Sequence, residues 1–249
     1  MAKRNNKIVA TIEARMSSSR LPGKVLMKAD GKPFLWHLVQ RLKSVPSIQE
    51  IAIATTINPA DEPLVEFAKE NNIKAYRGDE DDVMARVIKT AQAVEADIIV
   101  EITGDCPIID PWIIEHTIRI FLANKCDYAS NAHVRSYPDG MDVQVFRLST
   151  LMKSYDLASE MLEREHVTLH IRRHPKMFKH LHLIAAHDVY WPELGLTLDE
   201  QSDYLLLKRI IEHFGEDNRL FSCKEVIDLL RANPDWLKIN EHVRRKGDT

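Results

Sequence analysis

Three short apolar runs, at residues 8–12 (IVATI), 51–54 (IAIA) and 98–102 (IIVEI), recur in the first part of the chain, each rich in β-branched side chains and too short for an ordinary helix. Between them the apolar positions step at helical spacing, as in Phe34, Leu38, Leu42 and Val45. A chain that alternates in this way folds as a mostly parallel sheet covered by helices on both faces. A weaker run at 73–76 and helical segments at 61–70, 82–94 and 111–124 continue the order, the last opened by Asp110 as cap with Pro111 in its first turn. The expected architecture is a doubly wound α/β domain.

From 131 to 196 the pattern changes. A turn at Pro138-Asp139-Gly140, an alternating strand at 142–146 and segments rich in His and Arg up to His180 read as an antiparallel excursion from the sheet, carrying substrate specificity and a subunit contact. Its Tyr137, Val143, Val145, Phe146 and Met177 offer more apolar surface than a small flap buries on itself, which predicts packing against a second copy of the chain. Residues 196–199 then return as a short strand or loop, followed by an amphipathic helix at 200–213, a last helix at 224–231 and a polar tail. No internal repeat or linker interrupts the 249 residues, so a single domain, 1–249, is expected.

Bulk properties exclude several classes. A formal charge of -3 argues against general nucleic-acid binding, so any phosphate site must be local. No apolar run is long enough to span a bilayer, and the basic start MAKRNNK is followed by a strand carrying Glu13 rather than by a signal-peptide core. A cytoplasmic chain without membrane or nucleic-acid partners is the expectation. Cys106, Cys126 and Cys223 are odd in number and widely spaced, which indicates neither a disulfide framework nor a zinc cluster, and Cys106 reads as a packed thiol.

Residues 12–24 read IEARMSSSRLPGK and carry the first chemical signal. Three cations, three hydroxyls and a glycine directly follow a strand, at the carboxyl edge where open α/β sheets bind ligands. Arg15, Arg20 and Lys24 neutralise phosphate charge, while Ser17 to Ser19 and the amides around Gly23 supply donors. The spacing matches neither the common P-loop nor the dinucleotide fingerprint. The alternative is a solvated basic turn, which the flanking strand and the Pro22-Gly23 bend disfavour. A second signal is Gly104-Asp105-Cys106-Pro107 after the strand at 98–102: a carboxylate at the same edge suits Mg²⁺, which prefers hard oxygen ligands, although an Asp turn before a proline is also common.

The stretch ARMSSSRLPGK resembles the signature loop of the sugar-activating cytidylyltransferases, the group that includes the CMP-ketodeoxyoctonate and CMP-acylneuraminate synthetases. From about Lys7 to Phe214 the chain most resembles the spore-coat polysaccharide cytidylyltransferase-like family. The resemblance implies a three-layer α/β/α, Rossmann-like nucleotide-diphosphosugar-transferase fold and a two-fold dimer. It implies a nucleotide site built from Ala14, Arg15, Ser17, Arg20, Gly23, Lys24, Thr55, Arg77, Asp82 and Gly104, with Arg15, Lys24 and Asp105 taking part in catalysis. The stretch 77–83 matches the family's RGxxxDV segment over the nucleotide, but read alone it is an acidic helix start that complements the dipole. Asp199, late in the chain, would complete a Mg²⁺ site with Asp105; without the resemblance it equally caps the following helix. For an acidic sugar the comparison points to Asn131, Gly140, Asp142, Glu165 and His166, with Arg135, Arg164 and Arg172 as candidates for its carboxylate. His166, His170 and His174 recur every four residues, a spacing that metal ligands could use, but such a stripe reads first as polar surface.

The combined expectation is an enzyme that transfers the cytidylyl group of CTP to the hydroxyl of a sugar acid, of the keto-deoxy or nonulosonic type, and releases pyrophosphate. Two alternatives stay open: a sugar nucleotidyltransferase using another base or a sugar phosphate, and a non-catalytic domain that binds a nucleotide-sugar. The glycine-rich first loop common among the former is missing from a chain with eight glycines in all. The metal loop begins Thr103-Gly104, where the better-known synthetases carry a glutamine before the glycine, so the acceptor stays unsettled.

Overall fold

A computed structural model describes residues 6–245; the basic start at 1–5 and the last four residues lie outside the described part. The chain opens with β1 (Ile8–Glu13), a small ribbon β2 (Lys28–Ala29) and β3 (Lys32–Pro33), and α1 (Phe34–Lys43). Three strand–helix pairs follow: β4 (Glu50–Thr56) with α2 (Glu62–Glu70), β5 (Lys74–Gly78) with α3 (Val83–Ala93), and β6 (Ile98–Thr103) with α4 (Pro111–Ala123). The excursion contains β7 (Tyr128–Ser130), β8 (Gln144–Arg147), α5 (Leu148–Leu157), α6 (Met161–Glu165), α7 (Leu169–Arg173) and β9 (His180–His182). Helices α8 (Gln201–Phe214), α9 (Cys223–Ala232) and α10 (Pro234–Leu237) close the chain.

Seven of these strands form one sheet in the order β5-β4-β1-β6-β8-β7-β9. The four strands β5, β4, β1 and β6 are mutually parallel, β8 runs against both β6 and β7, and β9 lies parallel to β7. The mixed, mostly parallel sheet expected from the apolar runs is therefore present, with helices on both faces. Alternation along β1 shows how the two faces fill: Ile8, Ala10 and Ile12 join the cluster under α1, α4, α8 and α9, while Val9 joins the opposite cluster under α3, α5 and α7.

Local signals set the boundaries. Asp110 accepts from Trp112 N at 2.8 Å to open α4 and from Cys223 N at 2.8 Å, which docks the start of α9 on the same carboxylate. Ser222 and Glu225 form a capping box for α9, and Glu200 and Asp203 form one for α8. Glu200 thus does the capping, and Asp199 is left for other partners.

The excursion departs from the expected flap. Its strands extend the main sheet through β6 and β8, so Tyr137, Val143, Val145 and Phe146 are buried within the chain itself, and of the five residues expected to seek a partner only Met177 is exposed. The period of His166, His170 and His174 also fails to become one helical face, because the helix breaks between Glu165 and Leu169.

Candidate active site

The carboxyl ends of β1 and β6 open into a cavity of about 500 Å³, walled by the loop after β1, the Thr103-Gly104-Asp105 turn, the segment before α3, the α6 region and Asp199. Close approach of the two strand ends demands a glycine at 104: its amide donates to Glu13 O at 2.9 Å, and a Cβ there would stand 2.9 Å from that oxygen. In the basic loop Gly23 takes φ of 70°, and its amide closes the turn on Met16 O at 2.9 Å. Asp61, buried behind the loop, accepts Met16 N at 2.7 Å and so holds the loop's base against β4. Ser18, Ser19, Arg20 and Arg15 consequently face the cavity, while Ser17 turns its hydroxyl to Glu80 at 2.8 Å.

At the centre, Lys24 Nζ lies 3.0 Å from Asp105 and 3.2 Å from Asp199. Arg20 adds a 2.6 Å contact to Asp199, and Arg245 approaches the same carboxylate at 3.6 Å. Leu198 N donates to the Asp105 carbonyl at 2.8 Å, which ties the two carboxylate-bearing turns together. Burial works against the Lys24 ammonium, yet Asp105 and Asp199 outweigh it and lift its pKa above the ordinary lysine value. For Asp105 burial pulls upward, but Lys24 and the Thr103 hydroxyl hold the carboxyl below the usual aspartate range. Both partners therefore stay charged through neutral pH. Two carboxylates from segments 94 residues apart that converge on one ammonium form a hard-oxygen donor set of the kind that suits Mg²⁺.

Beside this cluster lies a group the sequence analysis passed over. Glu13, the last residue of β1, lines the cavity wall, yet both its carboxylate oxygens are shut off from solvent with no hydrogen bond of normal geometry. Burial, then the neighbouring Glu101 carboxyl, push Glu13 well above the ordinary glutamate value, against the pull of Arg86. Arg86 projects from α3, donating to Ala54 O at 3.2 Å and Asp79 O at 2.7 Å, and also lines the cavity. The signals were present: a glutamate ending an otherwise apolar strand, and a cation beside the buried stripe of Val87 and Thr90 on an amphipathic helix.

Of the nucleotide-site residues expected from sequence, Ala14, Arg15, Arg20, Lys24 and Gly104 line the cavity, and the expected metal pair Asp105 and Asp199 joins them. Ser17, Gly23, Thr55, Arg77 and Asp82 lie outside its lining. Thr55 is buried on the sheet face shared by Ile51 and Ile53. The Arg77 guanidinium is closed on Thr56 O and Asn58 O, both at 2.8 Å, and on Glu62. Asp82 caps α3 through Ala85 N at 2.9 Å and binds Tyr155 and Arg164, each at 3.0 Å. Of the acceptor residues, Glu165 and His166 reach the cavity. Asn131 instead spends its amide on Met141 O and Val143 N, both at 2.7 Å, and Gly140 with φ of 101° packs 2.7 Å, counted from a Cβ position, against the Leu196 carbonyl. Asp142 likewise lies outside the cavity lining. The tail read as merely polar sends Arg245 back to Thr197 at 3.0 Å and Asp203 at 2.7 Å, bracing the loop that carries Asp199. Cys106 is buried and its thiol is pushed well up by that burial and by Asp105, consistent with packing rather than reactivity.

A family model for cytidylyltransferases matches residues 9–227, which takes in every element from β1 to α9 that builds this cavity. The chain belongs to the cytidylyltransferase family. This cytidylyltransferase is 33% identical to the spore coat polysaccharide biosynthesis protein SpsF of Bacillus subtilis over 235 residues, 92% of this chain and 96% of that one. With the 3-deoxy-manno-octulosonate cytidylyltransferase of Escherichia coli it shares 36% identity over 121 residues, 46% of each chain. The solved structure of a cytidylyltransferase from Leptospira borgpetersenii superposes with a TM-score of 0.89 at 29% identity, covering 98% of this chain and 100% of that one. The resemblance read from ARMSSSRLPGK is thus borne out, and the cytidylyltransferase is a nucleotidyltransferase enzyme. Among the described residues no helix is long and apolar enough to cross a membrane.

Proposed function

We propose that this cytidylyltransferase activates a sugar acid with CTP: the sugar hydroxyl attacks the α-phosphorus, the bond to the β-phosphate oxygen breaks, and pyrophosphate leaves. The observation that carries the reading is the convergence of Lys24, Asp105 and Asp199 in a cavity walled by the basic loop after β1. Transfer at phosphorus needs positioning and charge stabilisation more than covalent help from the protein. Arg15, Arg20 and Lys24 hold the triphosphate, and the fixed cations meet the charge that grows on the leaving pyrophosphate. Asp105 and Asp199 would hold Mg²⁺, which when bound neutralises phosphate charge and orients the reacting oxygens. Lys24, shared by both carboxylates, keeps its positive charge beside the phosphate loop through neutral pH.

The acceptor enters from the side of α6, where Glu165 and His166 face the cavity. Similarity to SpsF and to 3-deoxy-manno-octulosonate cytidylyltransferase supports a sugar acid of a surface polysaccharide as the acceptor class. The test is pyrophosphate release from each of CTP, UTP, ATP and GTP with Mg²⁺ and a panel of keto-deoxy and nonulosonic acids. Release with CTP and one acid class is expected. Equal turnover of all four nucleotides would refute the base assignment, and release with neutral sugars alone would refute the acceptor class.

A further inference from the structure

On the far side of α6 from the cavity stand three side chains that the transferase reading leaves unused. Glu163 on α6, His170 on α7 and His174 just past its end place one potential ligand atom each within 4.8 Å of one another. Glu163 and His170 are buried, at 5% and 4% exposure, while His174 keeps an edge toward solvent. The imidazole rings lie with centroids 4.2 Å apart, tilted by 32°.

The hydrogen bonds of these histidines are arranged as a metal site needs them. His174 Nδ1 pairs with His170 O at 2.7 Å, and His170 Nδ1 pairs with the buried Ser154 hydroxyl of α5 at 3.1 Å. Each ring is thereby fixed through one nitrogen, and neither Nε2 has a protein partner among the described residues. Metal-bound histidines are oriented in this manner, the second nitrogen held by a carbonyl or hydroxyl. Arg173 stands 3.7 Å from Glu163, but its guanidinium is held more closely by Glu160 at 2.8 Å.

We infer that Glu163, His170 and His174 bind one zinc ion, or another late first-row divalent metal, with water completing the shell on the exposed side of His174. Two imidazoles and one carboxylate select such metals over magnesium, which keeps this site chemically separate from Asp105 and Asp199. A tetrahedral site with bonds of roughly 2.0–2.1 Å draws its donors to within about 3.4 Å of each other, a side-chain adjustment from the present spacing. The ion clamps α6 to α7. Helix α6 is five residues long and cannot hold itself, and it carries Met161 and Glu165 into the cavity wall, with His166 directly after. The metal therefore sets the shape of the acceptor side without touching the reacting atoms.

The experiment uses the full, tag-free chain, stripped with a chelator, dialysed and titrated with zinc alone against a chromophoric competitor. One ion per chain is expected. His174→Ala and Glu163→Gln should each weaken binding by at least roughly tenfold, with the far-ultraviolet circular dichroism unchanged. The control His116→Ala, on a different helix and stacked on Trp112, should bind as the parent does. Cobalt in place of zinc should give the intense visible bands of a tetrahedral site, lost in His174→Ala, and zinc should raise the melting temperature of the parent but not of that variant. Absence of stoichiometric binding, or zinc retained undiminished by both variants, overturns the inference.

Discussion

Glu13 offers the sharpest physical test of the site, because its burial beside Glu101 makes a claim about protons that a single substitution can isolate. Its folded-state pKa lies well above the ordinary 4.5, with burial the main cause and Glu101 the second. A carboxyl raised on folding is protonated in the native state and ionised in the unfolded chain once the pH exceeds 4.5. The native state then binds more protons than the unfolded state, so the stability contributed by this group is whole below about pH 4.5 and is lost as pH rises through the folded value. Within that window each linked proton changes stability by about 1.4 kcal/mol per pH unit. In a chain of this size about 1 kcal/mol moves the melting temperature by about 2–4 °C. Glu13→Gln keeps the shape and removes the proton. The melting temperature of the variant minus that of the parent should therefore grow by about 3–6 °C per pH unit as the pH is raised from 5, measured by circular dichroism in matched buffers. Because Glu101 shares the effect, the titration belongs to the pair, and Glu101→Gln should flatten the parent's slope in the same direction. A difference constant from pH 5 to pH 8 would refute the reasoning, since it would mean that Glu13 titrates alike folded and unfolded.

The carboxylates give a complementary signature. Asp105→Asn or Asp199→Asn should cut turnover by about 10²–10³. Either variant leaves Lys24 the other carboxylate, so folding should survive; near-full pyrophosphate release by Asp199→Asn would show that Asp199 only braces its loop through Arg20 and Arg245. A two-fold dimer would have to use the exposed apolar residues of the excursion outside the cavity, among them Ile184 at 55%, Tyr190 at 51% and Leu157 at 47%, because β7 and β8 bury their own. Light scattering at micromolar concentration should report twice the chain mass, and a monomer with full turnover would remove the partner from the site.

What the sequence made legible was whatever depends on period and on strand ends. The runs at 8–12, 51–54 and 98–102 became β1, β4 and β6, because a strand buried on both faces needs β-branched apolar residues at nearly every position. The loop cations and both aspartates could be placed at one edge because parallel strands present all their carboxyl ends together. Side-chain direction was not legible. Arg77 on a strand and Arg86 on a helix both stand near that edge, and of the two Arg86 lines the cavity. The strand's guanidinium folds back to satisfy carbonyls freed where β4 ends, while the helical arginine bonds Ala54 O, lines the cavity and interacts with Glu13. An unpaired carbonyl at a strand end attracts a nearby guanidinium whatever lies in the cavity, since leaving it buried and unbonded costs on the order of 1–3 kcal/mol. The same demand withdraws Asn131 into the backbone of 141–143 and Asp82 into the cap of α3. Polar residues near a site divide between ligand and backbone according to how many main-chain groups the local turn leaves open, and that number is set by strand register, which a single sequence does not contain.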